Sequence, residues 1–541
     1  MARVTAIPVW LRTLLFLVVA SLAVAGSLAL LWRAPLEAVH PASIAPPEPE
    51  IVAAAQRVDV EFSAAWSAAA QTSAPLADDF TVLRRLSLAL FGTIPSFEEI
   101  RLARQVPAER RISWWLDRAF RDPRYGDYVA ERFARVCVGT ESGPFLVFRR
   151  RRFVDWWSEQ LQANRPYDSF VRSLIASTGS WTTSPETNFV TREVVPKHGP
   201  DEARLAARVS RGFLGIRLDC VECHDDFLEG NWKQTDFHRL ASFFRETDLA
   251  VTGVSDTAKA AYQVRMRGAA AETPVEAGVP FGAQWLPAEG KLRSRLASWV
   301  THPENASFSR TAVNRIWALL FGQPLVAPVD RIPLQGDLPP GLDLLARDFV
   351  AHGYNLQRLI RVIAHTEVFR RSSLSPTDAA TATAWTSFPM TRLRPEQVAR
   401  SMYQAASLST VDASSHILLR LQRFGETRDF VNRYGDQGAE EFEPVTATVA
   451  QRLLLMNGKL VREHAKENII MNAATRIGAL ARDDAAAVEA AFLAVLTRTP
   501  SPQEMEHFST LLHGTKRSER ARRMEDLYWS LFNSTEFSWN H

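Results

Sequence analysis

One pentapeptide gathers the residue types best able to bind or bridge, Cys220-Val221-Glu222-Cys223-His224. Two thiols three positions apart, followed at once by an imidazole, form the attachment spacing of c-type haem. Each sulfur can make a thioether to a vinyl group while the histidine offers a ring nitrogen to iron. On this reading Cys220, Cys223 and His224 bind haem c, with His224 as an iron ligand. The same residues admit other chemistry. With His224 and His238 the thiols make a zinc donor set, although the gap between these histidines exceeds finger spacing. A CxxC pair alone makes a redox dithiol or a disulfide, which leaves His224 without a role. The remaining cysteine, Cys137, stands apart.

A haem held by His224 has a sixth position to fill. His238, fourteen residues further on, is the nearest imidazole, and His198 is a second. Met266, Met402 and Met456 are the thioether candidates, which raise reduction potential. Upstream, Leu205, Val209, Phe213 and Ile216 recur at helical intervals after Pro200, with Asp201 placed as an N-cap. The spacing therefore predicts a helix running into Cys220. Downstream, Trp232, Phe237, Leu240, Phe243 and Phe244 form an aromatic-rich segment that serves as core or walls one haem face.

Haem is attached outside the cytoplasm, so this reading requires export. Leu14 to Trp32 is an apolar run of nineteen residues between Arg3 and Arg12 on one side and Arg33 on the other. Its length predicts a membrane-spanning helix with the basic N-terminal side cytoplasmic. Ala23-Val24-Ala25 offers the alternative of a cleaved signal. The chain is accordingly expected in the inner membrane as a single-pass protein, with its bulk periplasmic or at the cell surface. Pro35, Pro41, Pro46, Pro47 and Pro49 mark an extended spacer.

The expected fold is mainly α: two helical domains joined by a small β-rich connector, after an N-terminal membrane-spanning helix. The expected boundaries are 1–33 for the anchor, 34–50 for the Pro-rich linker and 51–247 for the helical domain with the CxxCH motif. The β-rich connector occupies 248–287, where Gly253, Gly268, Gly278 and Gly282 interrupt Val264 and Val279, and the second helical domain occupies 288–541. A net charge of +3 over 541 residues makes no case for a nucleic-acid partner. The run Arg149 to Arg152 reads as a solvated loop or helix start, or as an anion site. Gly-rich phosphate loops, HExxH helices and GxSxG elbows do not occur, so nothing marks a hydrolase or a nucleotide enzyme. In the second domain Asn314, Arg315, Trp317 and Asp330 lie beside apolar periods. An Arg315 to Asp330 ion pair there would brace the core or receive a carboxylate or a sugar hydroxyl. Glu440-Glu441 reads as an exposed loop.

Several motifs occur in a fixed order: Leu83-Arg84-Arg85-Leu86-Ser87-Leu88-Ala89-Leu90-Phe91-Gly92, Asp122-Pro123-Arg124-Tyr125-Gly126, and Gly215 through His224 with Phe243-Phe244. Together they resemble the planctomycetal cytochrome-like domain of unknown function. Thr301-His302-Pro303-Glu304-Asn305, Asn314-Arg315-Ile316-Trp317, Phe321-Gly322, Pro328-Val329-Asp330 and Asn533-Ser534-Thr535-Glu536-Phe537 resemble the planctomycete surface-type domain fused behind it. The resemblance covers about residues 50 to 541. It strengthens export and haem but implies no established reaction. Relatives follow the motif histidine with a second histidine two positions later and then proline, where this chain has Asp226 and Phe227. A histidine of the loop at Pro339-Pro340-Gly341 and a cysteine near Arg433-Tyr434-Gly435 are likewise missing.

The expected function is a membrane-anchored extracytoplasmic c-type haem protein that exchanges single electrons with a redox partner protein. As a redox protein or oxidoreductase component it would serve oxidation of an extracellular substrate such as a carbohydrate. The alternative is a haem-free cell-surface binding or scaffold protein with zinc or a disulfide at the CxxC.

Overall fold

Apolar residues at helical spacing build most of the chain. The computed structural model describes residues 44–541 apart from 141–142, 145, 227–231, 260, 374–384, 413–414, 416, 436–441, 443–447 and 470–471, together with Leu14, Phe16 to Val18 and Ser21. Helix Ala108–Arg121 shows the common pattern: Ile112, Trp115, Leu116, Ala119 and Phe120 share the buried face. Helix Asp79–Phe91 breaks that pattern, with every residue from Val82 to Phe91 buried. A helix apolar on all sides must be covered on all sides, and this one lies between two cores. The larger core takes side chains from Ile51 to Phe388, on both sides of the 248–287 stretch. The second takes Leu393 to Phe537 together with Leu88 and Ile94.

Polar side chains fix the helix ends. Asp78 accepts from the amide of Phe80 at 2.9 Å, and Ser96 and Glu99 form a reciprocal capping box. Gly92 ends its helix in the left-handed region with φ 66°, and a Cβ there would stand 2.3 Å from the Tyr128 ring.

Strands are few and short. Thr247–Ala250 pairs antiparallel with Gly253–Asp256, Thr247 opposite Asp256, and Tyr262–Val264 pairs with Thr273–Val275. The stretch expected to be β-rich thus holds two hairpins. Arg293, 1 % exposed at the start of helix Leu292–Val300, anchors the first of them. It donates to Asp256 at 2.6 Å and to the carbonyls of Ile175 and Ser177 at 3.1 and 2.8 Å. Two further short ladders join Val194–Val195 to Gly199–Pro200 and Thr391–Arg392 to Trp539–Asn540.

The mainly α expectation stands, but its N-terminal membrane-spanning helix is corrected. Among the described residues no helix is long and apolar enough to cross a membrane. The longest of them, Pro49–Ala68, carries Glu50, Arg57, Asp59 and Glu61 and packs one apolar face on the core. Most of Leu14 to Trp32 lies outside the described residues. The single-pass inner-membrane placement with a periplasmic or cell-surface bulk rested on that helix, and it is withdrawn with it.

Candidate functional site

The helix expected to deliver Cys220 stops early. Asp201 caps it as predicted, accepting from the amide of Arg204 at 3.0 Å, but helix Glu202–Val209 gives way to a π turn over Ser210–Leu214. Gly215 follows at φ 64°, then one 3-10 turn over Leu218–Val221. The amide of Cys220 reaches the Arg217 carbonyl at 3.2 Å, and that of Glu222 reaches the Asp219 carbonyl at 3.2 Å. Cys220 and Cys223 are free and exposed, while Leu218 and Val221 beside them are buried. The motif is therefore a surface bend seated on two apolar anchors.

Its far side is held by helix Gln234–Ala241. The Glu222 carbonyl receives Gln234 Nε2 at 2.9 Å and lies 3.0 Å from His238 Nε2. The Gln234 amide donates to Asp225 at 2.8 Å, and the amide of Asp226 reaches the Trp232 carbonyl at 2.9 Å. His224 Nδ1 stands 2.8 Å from the carbonyl of Asp225. His238 is buried, and its other nitrogen is 3.1 Å from the Tyr262 hydroxyl. With a carbonyl at Nε2, that nitrogen carries the proton and Nδ1 accepts from the tyrosine. Burial lowers the His238 pKa and outweighs the bond to Glu222, which acts the other way.

The field around the motif is negative. Burial raises the Glu222 pKa, and Asp201 and Asp219 raise it further. Burial and the Glu202, Glu222 and Asp201 carboxylates push the Tyr262 hydroxyl up to about 12. Cations compensate it in part: Arg204 acts on Glu222, and Arg211 is bound to Asp219 at 2.8 and 2.6 Å and held charged by that contact.

Of the sixth-ligand candidates, His238 has both ring nitrogens at protein groups, so metal ligation would cost it one of those bonds. His198 is exposed in the turn between Val195 and Gly199. Met402 is packed in the second core, and Met456 ends helix Val449–Asn457 of the same half. Met266 is linked to the motif less directly than His238: the amide of its neighbour Arg267 donates to Gln234 at 3.0 Å. Phe227 and Glu440-Glu441 lie outside the described residues. The run at Arg149 opens helix Arg150–Gln162, where Arg150 pairs with Glu131 at 2.9 Å and Arg151 is exposed. The Arg315 to Asp330 pair is replaced by another arrangement. Asp330 takes Arg217 at 2.8 Å and Arg211 at 3.6 Å, while Arg315 donates to the Arg211 carbonyl at 2.9 Å.

Residues 57–249 match the family PSCyt2, described as a protein of unknown function (DUF1549), and residues 292–423 match PSD1, described as a protein of unknown function (DUF1553). The chain carries these two domains in tandem. No curated protein and no solved structure matches it. The CxxCH bend falls in the PSCyt2 domain, and Arg315, which reaches the Arg211 carbonyl, and Asp330, which binds the Arg217 and Arg211 side chains, fall in the PSD1 domain. Sequence reasoning singled out the cysteines and His224 but missed Arg211, Arg217, Asp219 and Gln234. Their signal was present: an acid directly before Cys220, with arginines on both sides of Gly215.

Proposed function

We propose that the PSCyt2 domain carries haem bonded through Cys220 and Cys223, with His224 as its ligand to iron, and that the protein exchanges single electrons with a redox partner protein. The observation that carries this reading is the donor set: two free, exposed thiols beside an imidazole whose Nδ1 lies 2.8 Å from a backbone carbonyl. An imidazole donating from Nδ1 to a carbonyl keeps its lone pair on Nε2, the tautomer that metal-ligating histidines use. The bound group supplies a one-electron couple at iron. The protein supplies the rest: Gln234 and His238 fix the bend at Glu222, and Leu218 and Val221 seat it. Glu222 and Asp225 place carboxyl groups beside it, and negative charge there would favour the oxidised state and lower the potential. A carbohydrate remains the substrate class suggested by the sequence reading.

The test is spectroscopic. Protein made together with cytochrome c maturation factors is expected to keep its Soret band through acid-acetone extraction, and the peptide containing Cys220 to gain the mass of haem. Cys220→Ala with Cys223→Ala should lose the band while leaving the fold. A colourless product with both thiols free overturns the proposal.

The exposure of both sulfurs favours a second reading, a haem-free binding or scaffold protein whose Cys220 and Cys223 close a disulfide. The same spectrum separates the two, because a disulfide removes the mass of two hydrogens. A zinc set including His238 would have to give up its bond to Glu222 or to Tyr262.

A further inference from the structure

The backbone from Ser210 to Asp219 lies between the end of a helix and the motif, and much of what fixes it comes from the other domain. Ile332 of the PSD1 domain donates its amide to the Gly215 carbonyl at 2.9 Å. A Cβ on Gly215 would meet Thr311 Oγ1 at 2.6 Å and Ile332 at 3.0 Å, so the two domains touch backbone to side chain there. Arg315 caps the Arg211 carbonyl at 2.9 Å. Asp330 then binds Arg217, three residues before Cys220, at 2.8 Å and faces Arg211 at 3.6 Å. One carboxylate, 12 % exposed at its side chain, thus lies between two guanidiniums of the motif segment. Without it those cations would repel across a partly buried gap, and the turn at Leu218–Val221 would lose its outer anchor.

We infer that Asp330 is a positioning residue: from the PSD1 domain it holds, through Arg217 and Arg211, the stretch of PSCyt2 backbone that presents Cys220 and Cys223. The role assigned to Asp330 rests on the motif being the attachment site proposed above, and its test uses full-length protein made without maturation factors, so that failure of one is told apart from failure of the other. A covalent site that joins two sulfurs to one planar group needs them in a fixed relation. Asp330 provides it from outside the domain that owns the thiols.

Hydrogen exchange of the amides of Cys220 and Glu222 reads the turn directly. In Asp330→Asn these amides are expected to exchange about tenfold faster through local opening, with slower exchange restored in Asp330→Glu. The equilibrium in which glutathione disulfide oxidises the Cys220 and Cys223 thiols to a disulfide and is reduced to two glutathione thiols should move at least about threefold in Asp330→Asn and return in Asp330→Glu, since it depends on how the sulfurs face each other. Asp343→Asn is the control, because it removes the Arg310 to Asp343 pair, 2.6 Å, within the PSD1 domain, an ion pair that includes neither Arg217 nor Arg211. Should Asp330→Asn fail to fold, Arg217→Gln breaks the same contact from the other side and is expected to speed exchange likewise. Unchanged exchange and thiol equilibrium in a folded variant, or an equal change in Asp343→Asn, overturns the inference.

Discussion

Glu536, in the run Asn533-Ser534-Thr535-Glu536-Phe537, accepts Arg498 at 2.6 and 2.7 Å, and the same guanidinium holds Glu504 at 2.8 and 2.9 Å. Burial alone would raise the Glu536 pKa, but His541 and Arg498 outweigh it and hold the carboxyl at about 2. The folded protein binds this proton more weakly than the unfolded chain does. The stability Glu536 contributes is therefore present above the ordinary 4.5 and is lost as pH falls toward about 2. Asp59 has the opposite sign. It accepts the amide of Glu367 at 2.9 and 3.0 Å, yet burial, with the Glu367 carboxylate adding to it, raises its pKa to about 6. Its contribution is present below the ordinary 3.8 and is lost as pH rises through about 6. Calorimetric melting across pH 2 to 7 checks both. Glu536→Gln is expected to flatten the acid limb, and Asp59→Asn to remove a decline between about pH 4 and 6. Unchanged slopes would contradict these assignments.

Among elements, the π turn at Ser210–Leu214 shows where periodicity misleads. Leu205, Val209, Phe213 and Ile216 are all buried, as their spacing predicted. Burial nevertheless continues past the break at Ser210, where every residue from Gly212 to Ile216 is buried, so the chain stays inside the core although the α-helix has ended. The apolar pattern thus identified the side that packs and could not show that the helix ends. Gly212 and Gly215 were the available signal. Gly215→Ala is expected to cost about 2 kcal/mol or more, combining left-handed strain with contact on Thr311 and Ile332. Urea unfolding measures it, and a loss under about 0.5 kcal/mol, the range of neutral surface changes, would show that the segment yields easily. The hairpins at 247–275 were legible from glycine and valine placement. Their anchoring by Arg293 was not, since a lone arginine opening a helix looks like any solvated one until its carbonyl acceptors are in view.

For the whole molecule, the motif at Arg84 and Arg85 turns from an unexplained sequence signature into a clasp. Arg84 donates to the carbonyls of Val495 and Phe537 at 3.3 and 3.1 Å. Arg85 donates to Phe369, Arg371 and His541 at 2.8, 2.9 and 2.7 Å, with its guanidinium 3.7 Å from the centre of the Phe388 ring. Arg85→Met would leave these carbonyls buried without a donor and is expected to destabilise the fold by about 3 kcal/mol. Thermal unfolding should show the two cores losing cooperativity together, and a melting temperature within about 1 °C of the parent would exclude a clasp of that strength. Sequence could name the tandem domains from their ordered motifs. It could not show that a single helix serves both cores, because partners separated by 411 to 456 residues leave no local pattern.

That separation has a consequence for birth on the ribosome. Arg84 and Arg85 are made early, whereas the carbonyls that receive them emerge at residues 369, 371, 495, 537 and 541. Until then helix Asp79–Phe91 must keep one flank hydrated, so the segment around it waits, open along that seam, for residues 495 to 541 to close it.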